Sequence, residues 1–416
     1  MGKRYNELDS LRGLAASTVV LGHLADFVFA VGIPASWIGW RHFVMAANRT
    51  PLTVLMAGGT AVRFFFVLSG FVLMLPFLRN KENPYFPYLV KRICRIYLPY
   101  LAAVALALAG DYWLAGHPLS LFGGSLKTTW SRPISMHLVW QHVRMLGHFD
   151  TEQINPVLWS LVQEMRISIL YPLIGLAVLK LSRRGLLALV AAVEACVLAV
   201  PYFFPRVDIG LASYVMTAHW AMMFILGAWL AKERERIAAW MQSMSNPKKA
   251  CLAGGAFLMY SMGVKTLWGA QFETHVLYPI ERIPALSSWA HNVFLAYLPV
   301  WAGDWVAAIC AAIAICFALT DRRTKVVLNQ KLVLWTGRAS YSLYLVHGIA
   351  LYVMLYLLWG TRHMVWFLPG YFLLTIVLTV VFYRYIEIPT MRLGRYLAKR
   401  MKGAIDSKPA MPAAAG

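Results

Sequence analysis

Arg12 and His23 stand eleven positions apart in the first long apolar stretch of a 416-residue chain. Neither residue type sits cheaply in such a stretch. At about 100° and 1.5 Å per residue they return to nearly one helix face, roughly 16 Å apart along its axis. One face therefore carries a fixed cation near one end and a titratable base deeper in, with Asp9 preceding both. That pairing suits a reaction whose donor arrives from one side and whose bond-making happens inside the stretch. Other polar residues fall at a similar depth in other apolar runs. Glu164 follows Leu158-Trp159-Ser160-Leu161, Ser69 ends Phe64-Phe65-Phe66-Val67-Leu68-Ser69, and His347 closes Ser340 to His347. Ser340, Tyr344 and His347 are spaced to line one helix face, with Tyr341 beside them. Four polar groups at one depth in four helices predict a shared cavity, in which a histidine and a carboxylate act as a base and its orienting partner. A second layer lies nearer the helix ends: Arg12, Arg92 and Arg95 (three apart and so on one face), and Arg384 with Glu387. Arginine forks match phosphate oxygens bidentately, so this layer reads as an anion-binding rim.

The elements that must position these groups follow from composition. The chain is 60% hydrophobic and 14% charged, with a mean hydropathy of +0.59. Its apolar residues come in blocks near the 20 needed to cross a bilayer. The fold class is all-α, a polytopic membrane bundle of about ten spans. They are drawn at approximately 8–31, 60–78, 88–110, 156–181, 186–204, 213–231, 250–265, 297–319, 338–358 and 366–387. The net charge of +21 would suggest nucleic acid in a soluble protein. Here Lys and Arg collect in alternate loops, which places both termini on the cytoplasmic side and excludes a nucleic-acid partner. The opposite loops, 32–59, 111–155 and 266–296, are long and carry Trp and His, suited either to sugar rings or to the headgroup belt. The transmembrane domain is set at 1–390 and a basic, disordered tail at 391–416. Five cysteines without CxxC spacing give no disulfide and no metal site.

Each candidate has a plainer alternative. Helix-end arginines anchor topology. His347 fits a hydrogen bond to a backbone carbonyl of a neighbouring helix. Ser69-Gly70 fits a small-residue helix contact. Glu164 fits a structural pair with Arg166 or another arginine.

Several segments in one order resemble the acyltransferase 3 family of integral membrane acyltransferases. They are Leu8 through Arg12 to His23, Phe64 to Phe71, Arg92-x-x-Arg95 with Ile96-Tyr97-Leu98-Pro99, and Leu158 to Leu161 with Glu164. Ser340 to His347 and Tyr385-Ile386-Glu387-Ile388-Pro389 complete the series. The resemblance implies a ten-helix bacterial inner-membrane enzyme. It would move an acyl group, often acetyl, from cytoplasmic acyl-CoA to a hydroxyl of a carbohydrate, glycolipid or small molecule. No cofactor would be held tightly. By the same resemblance Arg12 and His23 are catalytic, Arg92 and Arg95 serve the donor, and Glu164 is the third catalytic residue. Here Met165, Arg166 and Ile167 follow Glu164, where many members carry a second carboxylate and an aromatic pair. The chain carries no fused SGNH esterase-like domain, which some members have. The competing expectation is a transporter or flippase that uses the intramembrane His and Glu as a proton relay.

Overall fold

The computed structural model describes residues 5–30, 38–48, 50–79, 84–115, 128–204, 206–262 and 293–406. Among them every regular element is helical. In chain order these are α1 (Asn6–Ala30), α2 (Ile38–Asn48), α3 (Gly58–Phe77), α4 (Tyr85–Leu114) and α5 (Met136–Arg144). Next come α6 (Leu158–Lys180), α7 (Arg183–Phe203), α8 (Tyr214–Lys232), α9 (Arg234–Ser243), α10 (Asn246–Met262) and α11 (Val293–Thr320). The chain ends with α12 (Arg322–Leu328), α13 (Lys331–Arg338), α14 (Ser340–Leu358) and α15 (Met364–Ala404). Eight described helices are long and apolar enough to cross a membrane: α3, α4, α6, α7, α8, α11, α14 and α15. With α1 and the 17-residue α10, each predicted span coincides with a helix. The protein is a polytopic helical membrane bundle.

One expectation is corrected. The segment 391–416 was expected to be a disordered tail, yet Ile388–Asp406 is helical and continues α15. Gly394 and the buried Ala398, four apart, share a face, and a β-carbon at Gly394 would lie 2.7 Å from Cys94 Cβ. The face is small enough to seat the helix against α4, while its basic residues lie to the other sides. Residues 407–416, and most of the loop 266–296, lie outside the described residues.

Helix starts are set by side-chain caps: Ser182 Oγ accepts from Gly185 N, Ser213 Oγ from Met216 N, and Asp321 from Thr324 N. α3 runs through the middle and packs most closely on α8. That seam is glycine on both sides. A β-carbon at Gly70 would stand 2.1 Å from Phe224 O, and one at Gly227 1.9 Å from Val67 O. Without a water-driven force between lipid-soluble helices, such close backbone contact supplies the association energy.

α4 and α15 each contain one π-helical turn, Ile93–Tyr97 and Tyr383–Glu387. Each turn ends two residues before a proline, Pro99 and Pro389. Proline removes the N–H that would continue the regular ladder, and a wider turn absorbs the break. Both turns carry candidate site residues, Arg95 in one and Glu387 in the other.

The seam yields a paired prediction. Gly227→Ala is expected to lower the melting temperature of the detergent-solubilised protein, because the backbone must move by over an ångström; overpacking of this kind costs about 1–3 kcal/mol. Gly254→Ala, whose added carbon would meet nothing within 4 Å, should leave it unchanged or slightly raised. Equal melting of both variants would show the seam to be loose.

Candidate active site

At the end of the bundle where α4 and α15 meet lies a vestibule of about 910 Å³. Its rim carries the predicted Arg12, Arg92 and Arg95, and also Lys91, Arg395, Lys399 and Lys402. The last three come from the helical extension of α15. Arg12 and Arg95 make no ion pair among the described residues; the polar contact of Arg95 is Met391 Sδ at 3.9 Å.

Arg12, Ser69 and Arg95 also line a narrow inner chamber of about 40 Å³. There they meet Glu164, Ser340, Tyr341 and Tyr344, together with Ser160, Phe65 and Phe66. Seven of the sequence-derived candidates thus surround one space, contributed by α1, α3, α4, α6 and α14. Arg92 does not line it. Its guanidinium pairs with Glu164 across 2.7 Å and its Nε donates to Ser168 Oγ at 3.1 Å. This ion pair stands between the vestibule, which Arg92 lines, and the chamber, which Glu164 lines. Ser69 Oγ adds a weaker bond to the same carboxylate oxygen at 3.4 Å.

Several candidates are committed elsewhere. The Tyr341 hydroxyl donates to the Ile96 carbonyl at 2.9 Å, inside the first π turn, so it does not point a free donor into the chamber. Ser340 Oγ donates to Gly337 O at 2.9 Å. Glu387 accepts the Ser342 backbone N–H at 3.2 Å and the Ser342 hydroxyl, tying α15 to α14 away from the chamber. Asp9 is also off the chamber, on the turn of α1 whose backbone abuts Gly337. Tyr344 bonds Ser160 Oγ at 2.6 Å and closes the far side.

Past Tyr344 lie the two histidines. Tyr344 and His347 have ring centroids 5.8 Å apart, and His347 and His23 are 5.3 Å apart. His347 Nδ1 lies 3.1 Å from Leu343 O, a carbonyl of its own helix rather than of a neighbour. Its buried Nε2 has no hydrogen-bond partner. The order along α1 is therefore vestibule, Arg12, chamber, then His23 beside His347, as the eleven-residue spacing requires.

From the opposite end a recess of about 320 Å³ descends to Trp159, lined by His148, Asp150, Glu152 and Asp208. Trp159 packs on Phe66 with centroids 6.2 Å apart, and Phe66 lines the chamber. One aromatic layer thus divides recess from chamber. The recess is held by Arg166, which pairs with no carboxylate among the described residues. It donates to Ala212 O at 2.8 Å and Gly147 O at 2.7 Å, and so binds two loops together at membrane depth.

The sequence reading passed over a second buried group: Arg63, Glu194, His219 and Asp304, one charged residue on each of α3, α7, α8 and α11. The signal was present, since each lies inside an apolar span, where an ionisable side chain needs a partner.

If the Arg92–Glu164 pair holds the wall between vestibule and chamber, alanine at either position leaves a buried charge unmatched. A double-mutant cycle of Arg92→Ala and Glu164→Ala, read by thermal unfolding, should give a coupling of about 1–3 kcal/mol. Additive losses would place the two side chains apart.

A family model described as an acyltransferase domain matches residues 5–384. Nodulation protein 10 of Rhizobium leguminosarum bv. viciae is 23% identical over 410 residues, covering 95% of each chain. No solved structure matches. With the family match spanning nearly the whole chain, including every element that surrounds the chamber, this protein belongs to the acyltransferase 3 family and is a membrane-embedded acyltransferase.

Proposed function

We propose that the protein transfers an acyl group, acetyl in the simplest case, from acyl-CoA to a hydroxyl of a carbohydrate or glycolipid acceptor. The observation that carries this reading is the vestibule. Seven cationic side chains ring a space that narrows into a chamber walled by Arg12 and Arg95, which have no carboxylate partner among the described residues. A polyphosphorylated donor matches that charge, and its slender acyl-pantetheine arm matches the narrowing. Cations gathered at one face support a cytoplasmic position for both termini and for the vestibule, in a bacterial inner membrane. The recess behind Trp159 then opens on the other side, and the similarity to a nodulation protein agrees with a glycan acceptor there.

In this reading His23 takes the acceptor's hydroxyl proton and the oxygen attacks the thioester carbonyl. The tetrahedral intermediate collapses, the carbon–sulfur bond breaks, and the thiolate recovers the proton from the imidazolium. His347, with Nδ1–H on the Leu343 carbonyl, keeps Nε2 as a lone pair beside the His23 ring and helps fix its orientation. Glu164 holds Arg92 at the chamber wall. The hydroxyls of Tyr341 and Ser69 are already donated, and Arg12 stands about 16 Å along α1 from His23, so Arg12 and Arg95 serve the donor's phosphates rather than the oxyanion.

Thiol release from acetyl-CoA by the protein in nanodiscs, with a surface-glycan extract as acceptor, tests the reading. His23→Ala should lower the rate about 10²- to 10⁴-fold. Movement of a labelled glycolipid across the bilayer without thiol release would instead establish a transporter. The vestibule is tested separately by Lys399→Gln with Lys402→Gln. The KM for acetyl-CoA should rise roughly tenfold, and more at low salt, with kcat nearly unchanged. A fall in kcat at constant KM would remove these lysines from donor binding.

A further inference from the structure

On a different face of α3 from the chamber, three buried ionisable groups and the mostly buried Arg63 form one network. Arg63 Nε lies 2.6 Å from Asp304 Oδ1, and its Nη1 donates to Gly59 O at 2.8 Å. Asp304 Oδ2 is 3.4 Å from His219 Nε2, and His219 Nδ1 is 2.9 Å from Glu194. The indoles of Trp301 and Trp305 donate to Glu194 at 2.7 and 3.1 Å. Glu194 thereby accepts three N–H bonds and is spoken for. His219 is only 1% exposed, yet its Nε2 has no hydrogen-bond partner, the Asp304 approach lacking the alignment of one. His219, Arg63 and Asp304 are the charged or ionisable residues among those lining a cavity of about 210 Å³. Its walls are aliphatic, Val197, Leu198 and Met216, with Trp301 at one side.

A purely structural cross-link would have no use for a cavity lined by three of its four members, or for a buried imidazole nitrogen met only by a carboxylate 3.4 Å away. The chemistry of these groups selects the occupant. Arg63 and Asp304 compensate each other, and Glu194 stands against an imidazole that carries at most one positive charge. The cluster is therefore neutral or singly negative, which rejects an anion. It presents N–H donors beside a carboxylate oxygen, and a hydroxyl group satisfies both, accepting one bond and donating another. Apolar and indole walls suit the C–H faces of a ring. The size is that of one monosaccharide. Phe66 and Trp220, with centroids 5.2 Å apart, separate this space from the chamber, so a ring held here is not the one acylated.

We propose that this buried cluster and its cavity form a subsite for one neutral sugar unit of the acceptor, distinct from the transfer chamber. The assignment rests on the acyl-transfer reading for its purpose and on the cluster alone for its chemistry.

Saturation-transfer NMR with methyl β-D-glucopyranoside, on protein in deuterated-lipid nanodiscs, tests it. Wild type should transfer saturation to the sugar beyond empty nanodiscs. Val197→Trp fills the cavity from a residue that is not itself part of the network and should cut the transfer at least fivefold. Leu187→Trp, on the lipid-facing side of the same helix, should not. Wild type alone gives a second test that needs no variant to fold: methyl β-D-glucuronide, the anionic counterpart, should show little or no transfer. Equal transfer from the uronide, undiminished transfer in Val197→Trp, or none in wild type would each overturn the subsite. Thiol release from acetyl-CoA by the same wild-type preparation separates the two claims. Release without sugar transfer removes the subsite and leaves the enzyme reading. Transfer without release does the reverse.

Discussion

A guanidinium inside a bilayer-spanning bundle must find oxygen, and much of this architecture follows from where each one finds it. Arg92 takes Glu164, which joins α4 to α6. Arg63 takes Asp304, which joins α3 to α11. Arg166 takes backbone carbonyls, which draws two loops down between the helices and gives them the internal hydrogen bonding that irregular backbone needs at that depth. Once these three are settled, Arg12 and Arg95 stand out as the arginines facing the chamber with no carboxylate partner among the described residues. Glu164 and Asp304 are used for structure, and uncompensated cationic charge is left at the chamber, where the proposed donor would come to rest.

Much of this was legible in the sequence, for reasons that differ by residue. Spans were readable because about 20 apolar residues in a row have few alternatives. The shared chamber was readable in part: of the four groups read at one depth, Ser69 and Glu164 line it, whereas His23 and His347 lie past Tyr344, and Arg12, read as part of the rim, reaches it instead. Partner choice was not readable. Arg92 and Arg95 are three apart and looked equivalent, yet one faces Ser168 and Glu164 while the other faces the chamber. A 3.6-residue period does not say which neighbour a face meets. The helical end of α15 was hidden because a strongly basic stretch after the last apolar block resembles a tail. What keeps it helical is the small face of Gly394 and Ala398 on α4, a tertiary fact.

The two polar centres lie on different faces of α3. Val62, Phe65, Phe66 and Ser69 face the chamber, whereas Arg63 faces the Asp304 network. A single helix thus sorts chemistry by side, and the aromatic layer of Phe66, Trp159 and Trp220 insulates one polar group from the other. Such separation keeps the carboxylates of the Glu194 network out of hydrogen-bond reach of Arg12 and Arg95.

The glycine seam between α3 and α8 bears on motion. Backbones in direct contact along Gly70 and Gly227 have no side chains to slide over, so the two helices behave as one post. Under the proposed reading, whatever breathing lets an acyl-CoA donor in and its free thiol out falls to other parts. α4 and α15 are suited to it. Each is interrupted by a π turn next to a proline, they enclose the vestibule between them, and a loosened turn hinges more cheaply than a regular one. The machine would then work like a clamp, with a rigid jaw built around α3 and α8 and a flexing jaw hinged where the cations are carried.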